Sequence, residues 1–193
     1  MSKIEQFSPE RIADRMMIQH LMARWCHAVD RLDAPGMLAC FVPGCIDSHG
    51  PYIGPVEGLV EWILERHQKI HFSSHFIGNM LVDFVDEDTA IVETYVRTNQ
   101  QYPPEAKAAI AQFTGGASGA EDCYVDVFTS SRYMDRIIRI DGEWKIAERR
   151  LIQDWKRLDE VKVQALAPKE GWILGKRDGN DESQVMRREF GLE

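Results

Sequence analysis

Three residues far apart in the sequence carry side chains suited to acid–base chemistry. His75 stands at the mouth of Ser73-Ser74-His75-Phe76-Ile77-Gly78-Asn79-Met80-Leu81-Val82-Asp83-Phe84, which reads as a strand entered from a helix. Asp30 closes Trp25-Cys26-His27-Ala28-Val29-Asp30, the end of an amphipathic helix. Arg149 lies in Trp144-Lys145-Ile146-Ala147-Glu148-Arg149-Arg150, a strand with two adjacent arginines. A carboxylate beside an imidazole fixes its tautomer and stabilises the imidazolium once it forms, which makes the pair the simplest general base. A buried guanidinium can hold an oxyanion, a carboxylate or a phenolate. The expectation is that the three meet in one apolar pocket, with His75 as base, Asp30 orienting it and Arg149 stabilising negative charge. Each also has a structural reading. Asp30 can cap its helix or lie in water, His75 can be a satisfied residue at a strand start, and the arginines can be surface charges on an acidic chain.

Other chemistries find less support. His67, His71 and His75 are spaced i, i+4, i+8, a metal stripe if the helix were continuous. Phe72-Ser73-Ser74 reads as a helix-to-strand transition that separates them. HExxH is missing and no carboxylate falls at matching spacing, so no metal site is expected. GxGxxG, GxxxxGK followed by Ser or Thr, and GxSxG are missing too, so neither a nucleotide nor a flavin is expected. That leaves cofactor-independent chemistry or plain binding.

The elements that must position these residues follow from periodicity. Ser8-Pro9-Glu10 is a helix start, and Ile12, Met16, Ile18, Leu21, Met22, Trp25, Cys26 and Val29 recur at helical spacing to about residue 31. Asp33 begins a short second helix through Phe41, ended by Pro43-Gly44. Cys45 to His49 reads as a short strand, Gly50-Pro51 as a turn, and Tyr52 to Pro55 as a turn or very short strand. Val56, Leu59, Val60, Ile63 and Leu64 make one face of a third helix. Alternation then takes over in four runs, about Ser74–Val85, Thr89–Gln101, Cys123–Ile140 and Glu143–Trp155. Asp86-Glu87-Asp88 and Asp141-Gly142 mark hairpins, so the runs form a long antiparallel meander. Tyr102 to Asp122 is an excursion with a short helix at most, either a lid over the pocket or a solvated loop. Leu158 to Leu166 reads as helical, and the Gly-rich, charged end beyond Pro168, with Trp172-Ile173-Leu174 as anchors, is expected to drape over the barrel or a neighbouring subunit, a disordered end being the alternative. Helices followed by a curved meander make an α+β fold, a cone with an apolar interior.

Composition sets the outer bounds. The chain has 193 residues, 44% of them hydrophobic and 28% charged, with net charge -8 and pI about 5.3. One domain, residues 1–157, with an extension over 158–193 is the simplest division. An acidic chain argues against a nucleic-acid partner and weakly against anionic membranes. Cys26, Cys40, Cys45 and Cys123 lack CxxC spacing and sit in apolar patterns, as buried thiols of a reducing cytoplasm do. The N-terminal residues lack a signal-peptide core, and no run approaches ~18 apolar residues, so a cytoplasmic protein without a membrane span is expected.

The stretches Ile18–Asp33, Ser74–Asn79, Ser131–Arg136 and Asp141–Ile146 resemble a SnoaL-like member of the nuclear transport factor 2-like superfamily, over about residues 9–157. That family includes scytalone dehydratase, bile-acid dehydratase, hexachlorocyclohexane dehydrochlorinase and cofactorless lyases of lignin-derived aromatics. The resemblance implies a cone-shaped α+β barrel, three N-terminal helices packed in a curved antiparallel sheet. It implies a pair at Asp30 and His75 and a pocket arginine at Arg149. It puts Thr129, Ser131 and Tyr133 in the pocket, with Val96 and Thr98 opposite. Asn79, two pleats from His75, should face the same side. The dehydrochlorinase and bile-acid dehydratase branch has a Lys or Tyr five residues before the Asp to assist the leaving group. Here Trp25 stands there, and help must come from Tyr52, Tyr133, His49 or Tyr102, or the reaction differs.

The expected activity is therefore a cofactor-independent lyase, of dehydratase type, acting on a small, mostly apolar cyclic or aromatic molecule. Trp25, Tyr52, Asn79, Val96, Thr129 and Tyr133 would line the substrate. The chain would assemble as a homodimer or homotrimer. The rival readings are a non-catalytic small subunit of a ring-hydroxylating dioxygenase, a ligand-binding module, and an isomerase.

Overall fold

The computed structural model describes residues 5–116, 119, 122–161 and 170–192. Helix α1 spans Pro9–Arg31 and begins where the side chain of Ser8 accepts from the Arg11 N–H. It ends because Leu32 turns left-handed at φ 55° and returns its N–H to the carbonyls of Ala28 and Val29. Ile18, Met22, Trp25, Cys26 and Val29 are buried along one stripe, as a helix with a single core face requires. Helix α2, Ala34–Ala39, is capped by Asp33, which accepts from the Gly36 N–H.

The sequence reading carried this helix to Phe41 and stopped it at Pro43-Gly44. Strand β1 instead starts at Phe41 and passes through both residues to His49. Its register is irregular between Phe41 and Ile46, where Pro43 has no N–H to give and Gly44 sits at φ 69°. Strand β2, Tyr52–Pro55, folds back on β1, and helix α3, Val56–His67, buries Val56, Leu59, Val60 and Ile63.

The meander follows as β3 (Phe72–Phe84), β4 (Thr89–Tyr102), β5 (Tyr124–Ile140) and β6 (Glu143–Val161). The sheet order is β2-β1-β6-β5-β4-β3. Strand β1 joins β6 in parallel, so the sheet is not wholly antiparallel. β2 and β3 are both edges, so this α+β cone is a curved sheet that does not close into a barrel. Its inner face and α1, α2 and α3 share the main core, from Met22 and Trp25 to Val92, Ile137 and Ile146.

Strand β6 outruns the expectation. It pairs with β5 as far as Val161 opposite Tyr124, where a helix from Leu158 was expected. The long β5 supplies ladder partners to its first residue, and a paired strand leaves no backbone groups for a helix. Residues 162–166 of that expected helix lie outside the described residues.

Between β4 and β5 lie a single 3₁₀ turn, Pro104–Ala106, and helix α4, Lys107–Thr114. Ala106 and Ile110 pack with Ile70, Tyr102, Val125 and Val127 in a second core. The excursion is thus neither a lid nor a solvated loop over its helical part. Helix α5, Glu182–Glu189, closes the described chain. Cys26, Cys40 and Cys45 are buried free thiols, and burial pushes Cys26 up to about 12. Among the described residues no helix is long and apolar enough to cross a membrane.

Helix and sheet are tied at the far end by Asp14. Its buried carboxylate accepts from Arg11 Nη1 at 2.9 Å, Arg139 Nη1 at 2.9 Å and Trp144 Nε1 at 3.0 Å. Removing one member of such a cluster strands the others. Asp14→Ala is therefore expected to cost about 3 kcal/mol in urea unfolding at neutral pH.

Candidate active site

The concave face of the sheet and α3 enclose a cavity of about 610 Å³, its open mouth included. Strands β4 and β5 supply period-two rows, Val96, Thr98 and Gln100 beside Thr129, Ser131 and Tyr133. Val96 faces Ser131 and Thr98 faces Thr129 across the ladder. Strand β3 adds His75, β6 adds Leu151, Gln153 and Lys156, α3 adds Arg66, and His49 stands at the end of β1.

Asp30 and His75 meet through a hydrogen bond. Asp30 Oδ1 lies 2.7 Å from His75 Nδ1, and Oδ2 accepts the His75 backbone N–H at 2.7 Å. The Ser73 hydroxyl donates to Oδ1 at 2.9 Å. Ser73 and His75 are two apart on β3, so both point inward to the end of α1. Burial alone would raise the Asp30 carboxyl. The His75 ring, the His75 N–H and the Ser73 hydroxyl outweigh it and hold the group below the ordinary carboxylate range. With Nδ1 given to Asp30, Nε2 is the ring nitrogen left for the cavity.

Arg149 does not line the cavity. It is fully buried, and Nε and Nη2 each lie 2.7 Å from an Asp135 oxygen. Its guanidinium sits 4.0 Å from the Tyr133 ring centroid, 5.0 Å from Trp25 and 5.3 Å from Phe41. Asp135 is directly opposite it on β5. Its charge is thus matched behind the wall that Tyr133 presents, and the expectation that it faces substrate is corrected.

Three more expected site residues lie elsewhere. Trp25 is a core side chain, 1% exposed, edge-on to Phe41 at 5.0 Å. Tyr52 donates its hydroxyl to the Pro55 carbonyl at 2.6 Å and stacks on Trp62 outside the cavity lining. Asn79 is exposed. The ladder slips between Ile77 and Met80, so Ser73, His75 and Ile77 face one way and Met80, Val82 and Phe84 restore that face. A bulge adds a residue and inverts the pleat count, which turns Asn79 outward. Val96, Thr129 and Tyr133 do line the cavity. Burial pushes the Tyr133 phenol well up.

The lining is also less apolar than expected. Arg66 and Lys156 bring two cations, and among the described residues no Asp or Glu lines the cavity. Burial lowers both, and the Tyr102 hydroxyl partly offsets this for Arg66. Arg66 lies off the apolar face of α3 formed by Val56, Leu59, Val60 and Ile63. A long side chain placed there can still curl its head into a cavity.

Sequence reasoning missed the buried carboxylates. Asp47 and Asp135 are 0% and 1% exposed. Asp47 Oδ1 pairs with His49 Nδ1 at 3.2 Å. Their signal was present: Cys45, Asp47 and His49 alternate on β1, and Asp135 continues the inward row Val127, Thr129, Ser131, Tyr133.

The C-terminal segment reaches the back of this site. Arg177 Nε donates to the Asp30 carbonyl at 2.8 Å, and Nη1 to the carbonyls of His67 and Ile70 at 3.1 Å. Arg31 pairs with Asp181 at 3.0 Å. Burial pushes Arg177 down to about 10.

Residues 10–150 match the SnoaL-like domain. No curated protein matches the chain. Among solved structures, the chain is similar to hexachlorocyclohexane dehydrochlorinase LinA-type3 from Novosphingobium barchaimii LL02. The two are 15% identical with TM-score 0.62, over 82% of this chain and 97% of that one. It is also similar to a candidate scytalone dehydratase from Novosphingobium aromaticivorans, 20% identical with TM-score 0.61, over 82% and 95%. A candidate aromatic ring hydroxylase from the same organism is 22% identical with TM-score 0.59, over 78% and 94%. At these identities the likeness establishes the fold.

Two outcomes follow from this geometry. The Asp30 carboxyl is lower folded than unfolded, so its contribution is full above the unfolded value of about 3.9 and is lost as pH falls through the folded one. Asp30→Asn should therefore lose stability at pH 7, and that loss should shrink towards zero in acid, as read by denaturation across pH. Arg177→Ala removes a donor from the carbonyls of Asp30, His67 and Ile70, and should cost about 1–3 kcal/mol in the same assay.

Proposed function

The chain belongs to the SnoaL-like domain family, and from that premise we propose that it is an acid–base lyase. It eliminates a small group from a small cyclic or aromatic substrate without a bound cofactor. The observation that carries this reading is the 2.7 Å contact between Asp30 and His75 at the wall of the cavity. Asp30 accepts a hydrogen bond from the Nδ1–H, which leaves the lone pair of Nε2 to take a proton from the substrate. The carboxylate then stabilises the imidazolium.

Negative charge that develops on a substrate oxygen is met by Arg66 and Lys156 rather than by Arg149. In a cavity screened from water such cations act more strongly than in solvent. Val96, Leu151 and Tyr133 supply the flat apolar wall for a ring, and Thr98, Gln100 and Ser131 the polar contacts that orient it. Arg149, Asp135 and Trp25 fix that wall from behind. The dehydrochlorinase and the candidate dehydratase among the similar structures support an elimination. The exposed Phe76, Leu81, Ile91 and Tyr95 on the outer face support a homodimer or homotrimer.

The test is turnover of a panel of cyclic alcohols and lignin-type aromatics. His75→Ala and Asp30→Asn should each lower kcat/KM by ~10²–10⁴ while keeping a cooperative thermal transition. Unchanged turnover in either folded variant would sink the base assignment. Ligand binding without turnover by the wild type would turn the reading to a binding module.

A further inference from the structure

The cavity has a positively charged end set apart from the base. Lys156 on β6 and Arg66 in the last turn of α3 both line it, and among the described residues no Asp or Glu does. Asp30 and Asp47 stand behind imidazoles, on His75 and His49 respectively. Arg149 lies behind the Tyr133 wall, with Asp135 on Nε and Nη2 and Asp47 opposite it across the β1–β6 ladder.

Register sets how far the charged end lies from the base. His75 on β3 faces Thr98 on β4, Thr98 faces Thr129 on β5, and Thr129 faces Lys156 on β6. All four line the cavity. Neighbouring strands lie about 4.8 Å apart, so the backbones of His75 and Lys156 are three strands, about 14 Å, apart along the sheet. Curvature closes that arc, and the two side chains reach inward from its ends. The threonine hydroxyls between them bond each other, so the floor of the row is uncharged. A flat ring laid over it has the base at one edge and the ammonium at the other.

Arg66 comes to the cavity from the helix side. Its guanidinium lies 4.6 Å from the Trp62 ring centroid, Nη2 lies 2.6 Å from His67 Nε2, and Nη1 donates to the Tyr102 hydroxyl at 3.4 Å. Burial, Arg66 and Arg177 hold His67 well below its ordinary value, so that ring is neutral. Tyr102 donates in turn to Gln100 Oε1 at 3.0 Å, and Gln100 lines the cavity. Burial and the Arg66 charge together lower Lys156. Two neighbouring cations in a low-dielectric cavity raise each other's cost, and an anion between them offsets both. Charge that develops during proton transfer is transient, whereas this cost is present at rest, and a ligand that carries its own anion meets it at rest. Phosphate sites draw on backbone N–H groups at a helix N-terminus. Arg66 sits instead at the C-terminal end of α3, where the dipole is negative, and its planar fork matches a carboxylate.

We propose that the cavity takes cyclic or aromatic carboxylates, the carboxylate held between Lys156 and Arg66 and the ring laid over Thr98 and Thr129 with its far edge at His75. The proposal rests on the lyase reading for the role of His75 and adds the class of molecule that the site accepts. Lys156 and Arg66 are then specificity-determining residues, and the reacting carbon lies on the edge of the ring away from the carboxylate.

Binding tests this apart from turnover. The probes are benzoate and cyclohexanecarboxylate against benzamide and cyclohexanecarboxamide, titrated into the full chain by calorimetry at pH 7. Each acid should bind at least ~10-fold more tightly than its amide, because hydrogen bonds to charged groups are the stronger ones. Lys156→Met should weaken both acids at least ~10-fold and leave the amides within about threefold of wild type. Arg66→Gln should do the same. Arg66 also holds Tyr102 and His67, so Lys156→Met, at a half-buried position, decides if Arg66→Gln does not fold. A smaller acid-to-amide ratio in the wild type, no binding of either acid, or a ratio that survives Lys156→Met overturns the assignment. Turnover judges the base separately. A high ratio without turnover of any ring compound fails the base reading and leaves the carboxylate site standing, and turnover of neutral alcohols without a preference for acids does the reverse.

Discussion

The Asp30 carboxylate is the constraint on which the site depends. It sits at the C-terminal end of α1, where the helix dipole disfavours negative charge, and it is 8% exposed. A carboxylate there survives only if donors surround it. The first turn of β3 supplies them through Ser73, the His75 N–H and the His75 ring. The requirement runs both ways. The donors hold the carboxylate, and the carboxylate fixes where β3 starts and which way His75 points. Arg177 adds a cation on the carbonyl of the same residue. The end of α1, the start of β3 and the C-terminal segment are therefore locked by one charge.

Behind the opposite wall the logic is costlier. Arg149 and Asp135 are wholly buried, and taking both ions from water is repaid only by near-ideal geometry. Two 2.7 Å contacts provide that, and Tyr133, Trp25 and Phe41 pack over the guanidinium. Such a pair is a poor source of net stability compared with apolar residues of the same volume. Its consequence is rigidity. Tyr133 cannot tilt into the cation beneath it, so the cavity keeps a fixed aromatic wall. Trp25 is part of that support, edge-on to Phe41 and 5.0 Å from the guanidinium.

Much of this was legible in the sequence. The caps Ser8 and Asp33, the helical stripe of α1 and the two polar hairpins are local signals, and the elements fall where those signals put them. The family resemblance implied Val96, Thr98, Thr129, Ser131 and Tyr133 for the pocket, and all five line the cavity. Counting failed where the ladder slips. One bulge after Ile77 turned Asn79 to solvent, and another at Pro43-Gly44 hid the start of β1. A bulge depends on the partner strand, which no single segment reveals. The expected Arg149 contact failed for a different reason. Inward direction was read correctly, but the charge it meets belongs to another strand, and a cross-strand partner is visible only once register is known.

Register also explains why one cavity has two unlike walls. Strand β1 contributes Cys45, Asp47 and His49 inward, and its parallel neighbour β6 sets Asp47 beside Arg149. Strand β3, at the far edge, contributes Ser73 and His75 beside the end of a helix. Each wall presents an imidazole backed by a carboxylate, but only one carboxylate has hydroxyl and backbone donors to satisfy it. The asymmetry is fixed by topology. An edge strand has free N–H groups to spend on a helix-end carboxylate, whereas β1 lies between two strands and has none to spare. Asp47 takes its hydrogen bond from a side chain, His49 Nδ1 at 3.2 Å, beside Arg149 on β6.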